Sequence, residues 1–256
     1  MNNETGNITD KRSTKIYFAA DVHLGLHTDT NAVERENAFV QWLDKIKTDA
    51  EAIFLLGDIF DFWFEYKYAV PRGFTRALGK LAEITDSGIP VHFFTGNHDM
   101  WTFNYLKTEI RLIIHKKPFE ITLHGKKFFI AHGDGLGKGE KNYKLLKRIF
   151  ACRFFQRCFA FLHPRIGIGI ARTWSKHSRL SKNLSEKFNE NTDSLFAFAK
   201  QKLDNDHIDF FIFGHRHTPI QLQLTDNCLF TIVGEWIKGR EYAVFDGENL
   251  LLVNSK

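Results

Sequence analysis

Short unbroken apolar runs, each closed by a small polar string, punctuate the first part of the chain. Lys15 to Ala20, Ala52 to Leu56 and Val91 to Thr95 have the length and bounding residues that predict buried strands. Between them the rhythm changes to three-four spacing. Over Thr30 to Lys47, Val33, Phe39, Val40, Leu43 and Ile46 can share one helical face, and Thr75 to Ser87 reads as a second helix stopped by Gly88 and Pro90. Strand, helix, strand, helix, strand predicts a parallel α/β layer. Ile121 to Leu123 and Lys127 to Ala131 then flank His124-Gly125, a hairpin turn.

Beyond this point the pattern turns helical. Gly133 to Gly139 is a glycine-rich loop, Glu140 to Phe161 has helical spacing, and Pro164 with Gly167 and Gly169 is expected to break it. Ile170 to about Asn189 is again helical and basic, and Asn191 to Leu203 predicts an amphipathic helix. Strand character returns in Ile208 to Phe213, Ile220 to Leu224, Cys228 to Val233, Tyr242 to Phe245 and Leu250 to Val253. The expected organisation is one α/β domain over 15–256 with a helical insertion at about 136–190. A polar lead, 1–14, precedes it; it lacks the apolar segment of a signal peptide and is expected to be disordered. No run of 18 apolar residues occurs, so no spanning helix is expected.

A composition of 43% hydrophobic and 25% charged residues supplies a packed core and excludes a disordered chain. Phe is the unusual entry, with 26 residues against two Met, which means a large core or a surface that meets lipid. The net charge of +5 hides an asymmetry. Lys138 to Lys187 holds thirteen Lys and Arg against Glu140 and Glu186, so this segment carries +11 and the remainder −6. A strongly basic insert on a mildly acidic body seeks phosphate, nucleic acid or anionic lipid. Cys152, Cys158 and Cys228 fit neither a zinc motif nor a disulfide framework, and reduced thiols are expected.

Candidate chemistry sits where the apolar runs end. Asp21 and His23 lie in Ala-Ala-Asp-Val-His-Leu-Gly, Asp58 in Leu-Leu-Gly-Asp, and Asn97 in Thr-Gly-Asn-His-Asp. His132 lies in Ala-His-Gly-Asp-Gly, and His215 and His217 in Phe-Gly-His-Arg-His. Oxygen and imidazole donors are what divalent ions of phosphate chemistry take. Two ions about 3.5–4 Å apart can clamp both oxygens of an in-line displacement. Asp58 is the natural bridge. Asp21, His23 and His217 would then hold one ion, and Asn97, His132 and His215 the other. A water between the cations, deprotonated at neutral pH, would be the nucleophile. A single strand-end Asp or His is usually a turn residue or satisfied packing; the ordered set of five strings is not explained that way.

Taken together, Asp-x-His, Gly-Asp, Gly-Asn-His-Asp, His and Gly-His-x-His resemble the calcineurin-like metallophosphoesterase superfamily over roughly residues 15–220. The resemblance implies a sandwich of two mixed sheets flanked by helices, here with a helical cap insertion. It implies two divalent ions at the seven positions, Mn²⁺ being the expected ion and Fe²⁺ or Zn²⁺ suiting the same ligands. It further implies that His98 contacts the phosphate or protonates the leaving group, oriented by Asp99.

The basic insert leaves two readings open: a packed helix with solvated charges, or a cap that offers an apolar slot to acyl chains and a basic face to anionic lipid. Ala-His-Gly-Asp at 131–134, the helical insertion, Gly-His-x-His at 214–217 and Gly234 to Trp236 are similar to the UDP-2,3-diacylglucosamine pyrophosphohydrolases of lipid A assembly. Arg172-x-x-Ser175-Lys176 followed by Ser181-Lys182 is similar to that family's cap segment. The similarity implies that Arg172, Ser175 and Lys182, with Asn97, His98 and His215, hold the substrate. The implied reaction splits a lipid-linked sugar nucleotide into UMP and 2,3-diacylglucosamine 1-phosphate. The implied location is the cytoplasm, peripheral to the inner face of the inner membrane. One departure stands out: the best-known form of that family has Gly-Asn-Arg-Asp where this chain has Gly-Asn-His98-Asp. Another nucleotide or phospholipid diphosphate therefore stays open as substrate. So do a soluble-nucleotide phosphodiesterase, a nuclease and a non-catalytic membrane scaffold. The insert's aromatics are Phe apart from Tyr143 and Trp174, so nucleic acid is not an expected partner, and the complete ligand set argues against the scaffold.

Overall fold

Alternation along the strands decides the layering. β1 (Lys15–Ala19) sends Ile16 and Phe18 to one face and Tyr17 and Ala19 to the other. β2 (Ala50–Leu55) divides Ala52 and Phe54 from Ile53 and Leu55 in the same way. Both faces are buried, which is why these strands read as continuous apolar runs. The computed structural model describes residues 14–26, 31–137, 141–170, 173, 188–190 and 192–255. The expected N-terminal lead, apart from Thr14, lies outside them.

β1 pairs in parallel with β2, β2 with β3 (Val91–Phe94), and β3 with β4 (Ile113–His115). After β5 (Phe119–Leu123), β6 (Lys126–Ala131), β7 (Phe210–Phe213), β8 (Ile220–Thr225) and β9 (Cys228–Ile232), the chain returns to the first sheet. There β10 (Glu241–Phe245) and β11 (Leu250–Asn254) add antiparallel beside β1, giving the order β11-β10-β1-β2-β3-β4. The second sheet has the order β5-β6-β7-β9-β8, with β6, β7 and β9 parallel. The two sheets face each other across an aromatic core. Phe18 lies at its centre, 5.1 Å from Phe54 and 6.0 Å from Phe128 between ring centroids. Outside the first sheet pack α1 (Ala32–Ile46) and α2 (Thr75–Asp86), through Phe39, Trp42, Leu81 and Ile84. Outside the second, α6 (Ser194–Leu203) covers Phe211 and Phe213 with Leu195, Phe196 and Ala199. The result is the two-sheet sandwich flanked by helices that the sequence implied.

Helix starts have identifiable causes. Asn31 Oδ1 accepts from Val33 N at 3.0 Å, and Asp193 Oδ1 accepts from Leu195 N and Phe196 N at 2.9 and 3.0 Å. α2 has no side-chain cap of its own; Glu36 reaches over from α1 and accepts from Arg76 N and Ala77 N at 3.1 and 3.2 Å. α3 (Tyr105–Thr108) is likewise started by a distant group, buried Glu65, which accepts from the backbone of Phe103, Asn104 and Tyr105. Neither α3 nor β4 was legible in the sequence.

The expected helix over Glu140 to Phe161 is divided. α4 (Lys141–Ala151) ends, Cys152 is extended, and α5 (Arg153–Ala160) begins. The expected break falls at 161–163, where α5 ends, but Pro164, Gly167 and Gly169 belong to a new helix: 164–170 is helical, and His163 Nδ1 accepts from Arg165 N at 3.2 Å. Proline is tolerated in a first turn, where its missing N–H would find no partner anyway. Leu145, Phe154, Phe155, Phe161 and Ile166 of this region are exposed, while α5 buries none of its residues. The expected basic helix over Ile170 to Asn189 falls largely outside the described residues. Among the described residues no helix is long and apolar enough to cross a membrane.

Replacing Phe18 by Ala removes the ring at the centre of the intersheet core. Urea unfolding is expected to show a loss of about 3–5 kcal/mol.

Candidate metal centre

Five parallel strands end at one edge of the sandwich, and each is followed by a motif. β1 runs into Asp21 and His23, β2 into Asp58, β3 into Asn97 and His98, β6 into His132, and β7 into His215 and His217. Backbone and side-chain bonds sew the loops together. Asp21 N donates to Gly57 O at 3.1 Å and His23 N to Asp58 O at 2.9 Å. His98 N donates to Asp58 Oδ1 at 2.8 Å, and His215 N donates to Asp21 Oδ2 at 2.7 Å, which joins the two sheets.

Three ligand groups result among the described residues, one of which, His23 with Asp61 and His98, shares His23 with another. Asp21, His23 and His217 offer atoms within 4.8 Å of one another, and so do Asp58, His132 and His215. His217 Nε2 lies 3.5 Å from Asp21 Oδ1 and 3.4 Å from His23 Nε2, and His132 Nε2 lies 3.4 Å from Asp58 Oδ2. His132 Nδ1 is 2.8 Å from the Leu56 carbonyl and must donate to it, so the neutral ring presents its lone pair at Nε2, the arrangement a metal ligand needs. Asp21 Oδ1 and Asn97 Oδ1 are buried and have no hydrogen-bond partner among the described residues. Oxygen atoms left in that state fit cations, and the imidazoles around them fit the borderline divalent ions.

In chelated protein, protons on these side chains take the place of cations. Burial pushes Asp21 up to about 8, with His132 opposing and the negative charge of Asp58 adding to the rise. Burial and then Asp58 push Asp99 up to about 7. Burial works against ionised Asp58 too, but His132 and His98 outweigh it and hold this carboxyl well below the usual range. Burial also opposes a charged His132, yet Asp58 raises it to about 10.

Backbone geometry explains the motifs' small residues. Asp21, His23, Asp58, His215 and His217 have φ of 52°, 49°, 53°, 71° and 57°, the left-handed region. Gly96 is required by contact: a Cβ there would stand 2.6 Å from Asp58 N.

The structure brings His98 to the group formed by the first sheet's ligands, but its orienting partner differs from the expectation. Asp99 does not hold His98. Its carboxylate accepts from Gly96 N at 2.7 Å and Ile59 N at 2.9 Å, tying the β2 and β3 loops together. His98 Nδ1 instead donates to the carbonyl of Asp61 at 2.8 Å. Asp61, which sequence reasoning missed, also places Oδ1 3.4 Å from His23 Nδ1. Its signal was an acid three residues after Asp58, in Gly-Asp-Ile-Phe-Asp. Arg35 was missed as well; buried under the site, it donates to the carbonyls of His23 and Leu26 at 2.9 and 3.1 Å. From the other side, Asp134 accepts from Tyr143 Oη and Lys147 Nζ at 2.5 and 2.6 Å, fastening α4 beside His132. Arg172, Ser175 and Lys182 lie outside the described residues.

Two outcomes follow for solution work. In chelated protein the raised carboxyls of Asp21 and Asp99 stay protonated when folded and ionise when unfolded between about pH 4 and their folded values of about 8 and about 7. The unfolded state then binds fewer protons, so stability falls as pH rises: the melting temperature of the chelated protein is expected to drop from pH 5 to pH 8, and Mn²⁺ to restore most of it. Asp61→Asn is expected to weaken Mn²⁺ binding, read by calorimetric titration, by about 10–100-fold.

Comparison with known proteins agrees with this geometry. Residues 14–219 match the family model of the calcineurin-like phosphoesterases. A UDP-2,3-diacylglucosamine hydrolase of Porphyromonas gingivalis is 41% identical over 93% of this chain and 97% of its own. One of Shewanella baltica is 27% identical, covering 82% and 86%, and one of Histophilus somni is 25% identical, covering 87% and 92%. The match over 14–219, together with the strand-end convergence of Asp, Asn and His, places this chain in the calcineurin-like phosphoesterase family.

Proposed function

We propose that this protein hydrolyses the pyrophosphate bond of UDP-2,3-diacylglucosamine, releasing UMP and 2,3-diacylglucosamine 1-phosphate, as a step of lipid A biosynthesis. The observation that carries this reading is the 41% identity with the Porphyromonas gingivalis hydrolase along nearly the whole of both chains. Exposed Phe154, Phe155 and Phe161, interleaved with Arg153 and Arg157 on and just beyond α5, support it further. Apolar side chains ringed by arginine suit a membrane surface and an acylated substrate better than a nucleic acid backbone. The same surface supports peripheral attachment to a membrane.

When bound, two divalent cations at the ligand groups, with Mn²⁺ our choice, supply the positive field that draws in the phosphates and makes a water acidic enough to attack. The chain's own residues do the remainder. Asp58 is our candidate to bridge the two groups; its Oδ1 accepts from His98 N and its Oδ2 stands beside His132. Asp21 is held across the sheets by His215 N. His98 has Nδ1 committed to the Asp61 carbonyl, so protonation changes fall on Nε2, which is our candidate for delivering a proton to the oxygen that leaves. Asp99 keeps the loop of Asn97 and His98 docked on the turn at Gly57 to Ile59. Arg172, Ser175 and Lys182 remain our candidates for gripping the sugar-diphosphate.

Purified protein with Mn²⁺ in detergent is expected to release UMP from UDP-2,3-diacylglucosamine and to leave UDP-glucose intact. Equal turnover of a plain aryl phosphodiester, with no preference for the lipid, would sink the substrate assignment. His98→Ala is expected to lower kcat by about 10²- to 10⁴-fold while Mn²⁺ content stays at the wild-type level.

A further inference from the structure

Trp101 stands three residues beyond His98 in the loop that follows β3. Its indole N–H donates to the carbonyl of Phe150, in the last turn of α4, at 2.8 Å. The ring meets Phe150 edge-on at 5.6 Å and Phe159 of α5 at 4.6 Å between centroids. Phe159 also meets Phe62 and Phe64, at 6.2 and 4.8 Å. These two belong to the segment that begins at Asp61, whose carbonyl accepts from His98 Nδ1. Within the same segment Trp63 N donates to His98 O at 3.2 Å, and Phe64 pairs with Trp101 in a parallel bridge. The two stretches of chain that frame His98 therefore also grip α5 and the last turn of α4, whose first turns are held separately by Asp134 through Tyr143 and Lys147. No residue of α5 is buried, and Phe154 and Phe155 face outward, 66% and 47% exposed. Phe159 is thus the aromatic anchor that α5 offers to the body of the fold.

We infer that Trp101 is a positioning residue: it seats the α4–α5 pair on the sandwich and, through the same contacts, sets the position of His98. A substrate that settles against α4 and α5 would then act on the reacting centre through Trp101 as well as by its own binding. The inference rests on the proposed reading of His98 as a group acting in the hydrolysis. Coupling of this kind differs from simple support because it runs in both directions. Disturbing α5 must disturb the chemistry of a substrate too small to reach α5.

The test uses bis(p-nitrophenyl) phosphate with Mn²⁺ and four variants: Phe159→Ala, Trp101→Ala, their double combination, and Trp101→Phe. Phe159→Ala and Trp101→Ala are each expected to lower kcat by roughly tenfold with KM within about twofold, since a displaced catalytic group costs rate more than ground-state binding. The double variant should be no slower than the worse single one, because both remove the same contact. Trp101→Phe keeps the ring packing and should recover most of the lost rate. Amide exchange at 97–101 and at 141–160 should rise together in both alanine variants. Wild-type kcat in Phe159→Ala, or rate losses that multiply in the double variant, would overturn the coupling. Should the wild-type protein hydrolyse neither this diester nor UDP-2,3-diacylglucosamine, the proposed function fails, and exchange still decides: a joint rise upholds the positioning role, and a rise confined to 141–160 ends it.

Discussion

Three carboxylates, those of Asp21, Asp58 and Asp99, share one edge of the sandwich with no access to water worth the name. Ionising several such groups out of solvent together costs kilocalories for each; without a cation Asp21 and Asp99 hold their protons instead, and the rest of the molecule is arranged around offsetting that cost. Backbone N–H groups from three different loops point inward at them, from His215, from His98 and Gly96, and from Ile59. Imidazoles of His132 and His23 stand against them. What the protein lacks in positive charge at this edge, divalent cations are suited to supply. Parallel strand order matters for this reason: it delivers five strand ends to one edge, and the loops they feed are short enough to be locked to one another.

The intersheet core of Phe18, Phe54, Phe128 and their neighbours serves the same end. Its close-packed rings fix the separation of the two sheets, and with it the distance between ligands that start from β1 and β2 and ligands that start from β6 and β7. A loose core would leave His215 N unable to meet Asp21, and the two ligand groups would no longer face each other. Stability and site geometry are therefore set by the same packed layer.

Much of this was legible in the sequence, for physical reasons. Strands buried on both faces announce themselves as apolar runs, so β1, β2, β3 and β7 were found with the strings that follow them. The seven candidate ligands were legible as letters at strand ends, but the reading of Asp-x-His and His-x-His as extended was not borne out: left-handed turns send His215 and His217 to different groups. Other elements depend on partners far away in the chain. α3 starts because Glu65 reaches it from some forty residues earlier, and β4 is a three-residue edge strand that only its neighbour defines. Pro164 looked like a stop because a proline at a helix start and one after a helix end are the same letter. Asp61 was passed over, although it stood three residues from Asp58, because part of its role runs through a backbone carbonyl, which has no identity in a sequence, and the rest, a carboxylate beside His23 Nδ1, depends on which loops meet in the fold. Asp99 was given the wrong partner for the converse reason: adjacency to His98 suggested contact, whereas the tight turn aims the carboxylate back at Gly96.

The left-handed backbone at Asp21, His23, Asp58, His215 and His217 also limits what this protein can become. Asn, Asp and His enter that conformation several-fold more readily than other side-chain-bearing residues, and all five positions hold Asp or His. Cysteine or a branched side chain would carry an added conformational penalty, before any question of affinity arises. The turn geometry thus restricts the repertoire of donors to carboxylate oxygen, amide oxygen and imidazole nitrogen. A thiolate at any of these five positions would meet a backbone cost as well as a change of preferred metal.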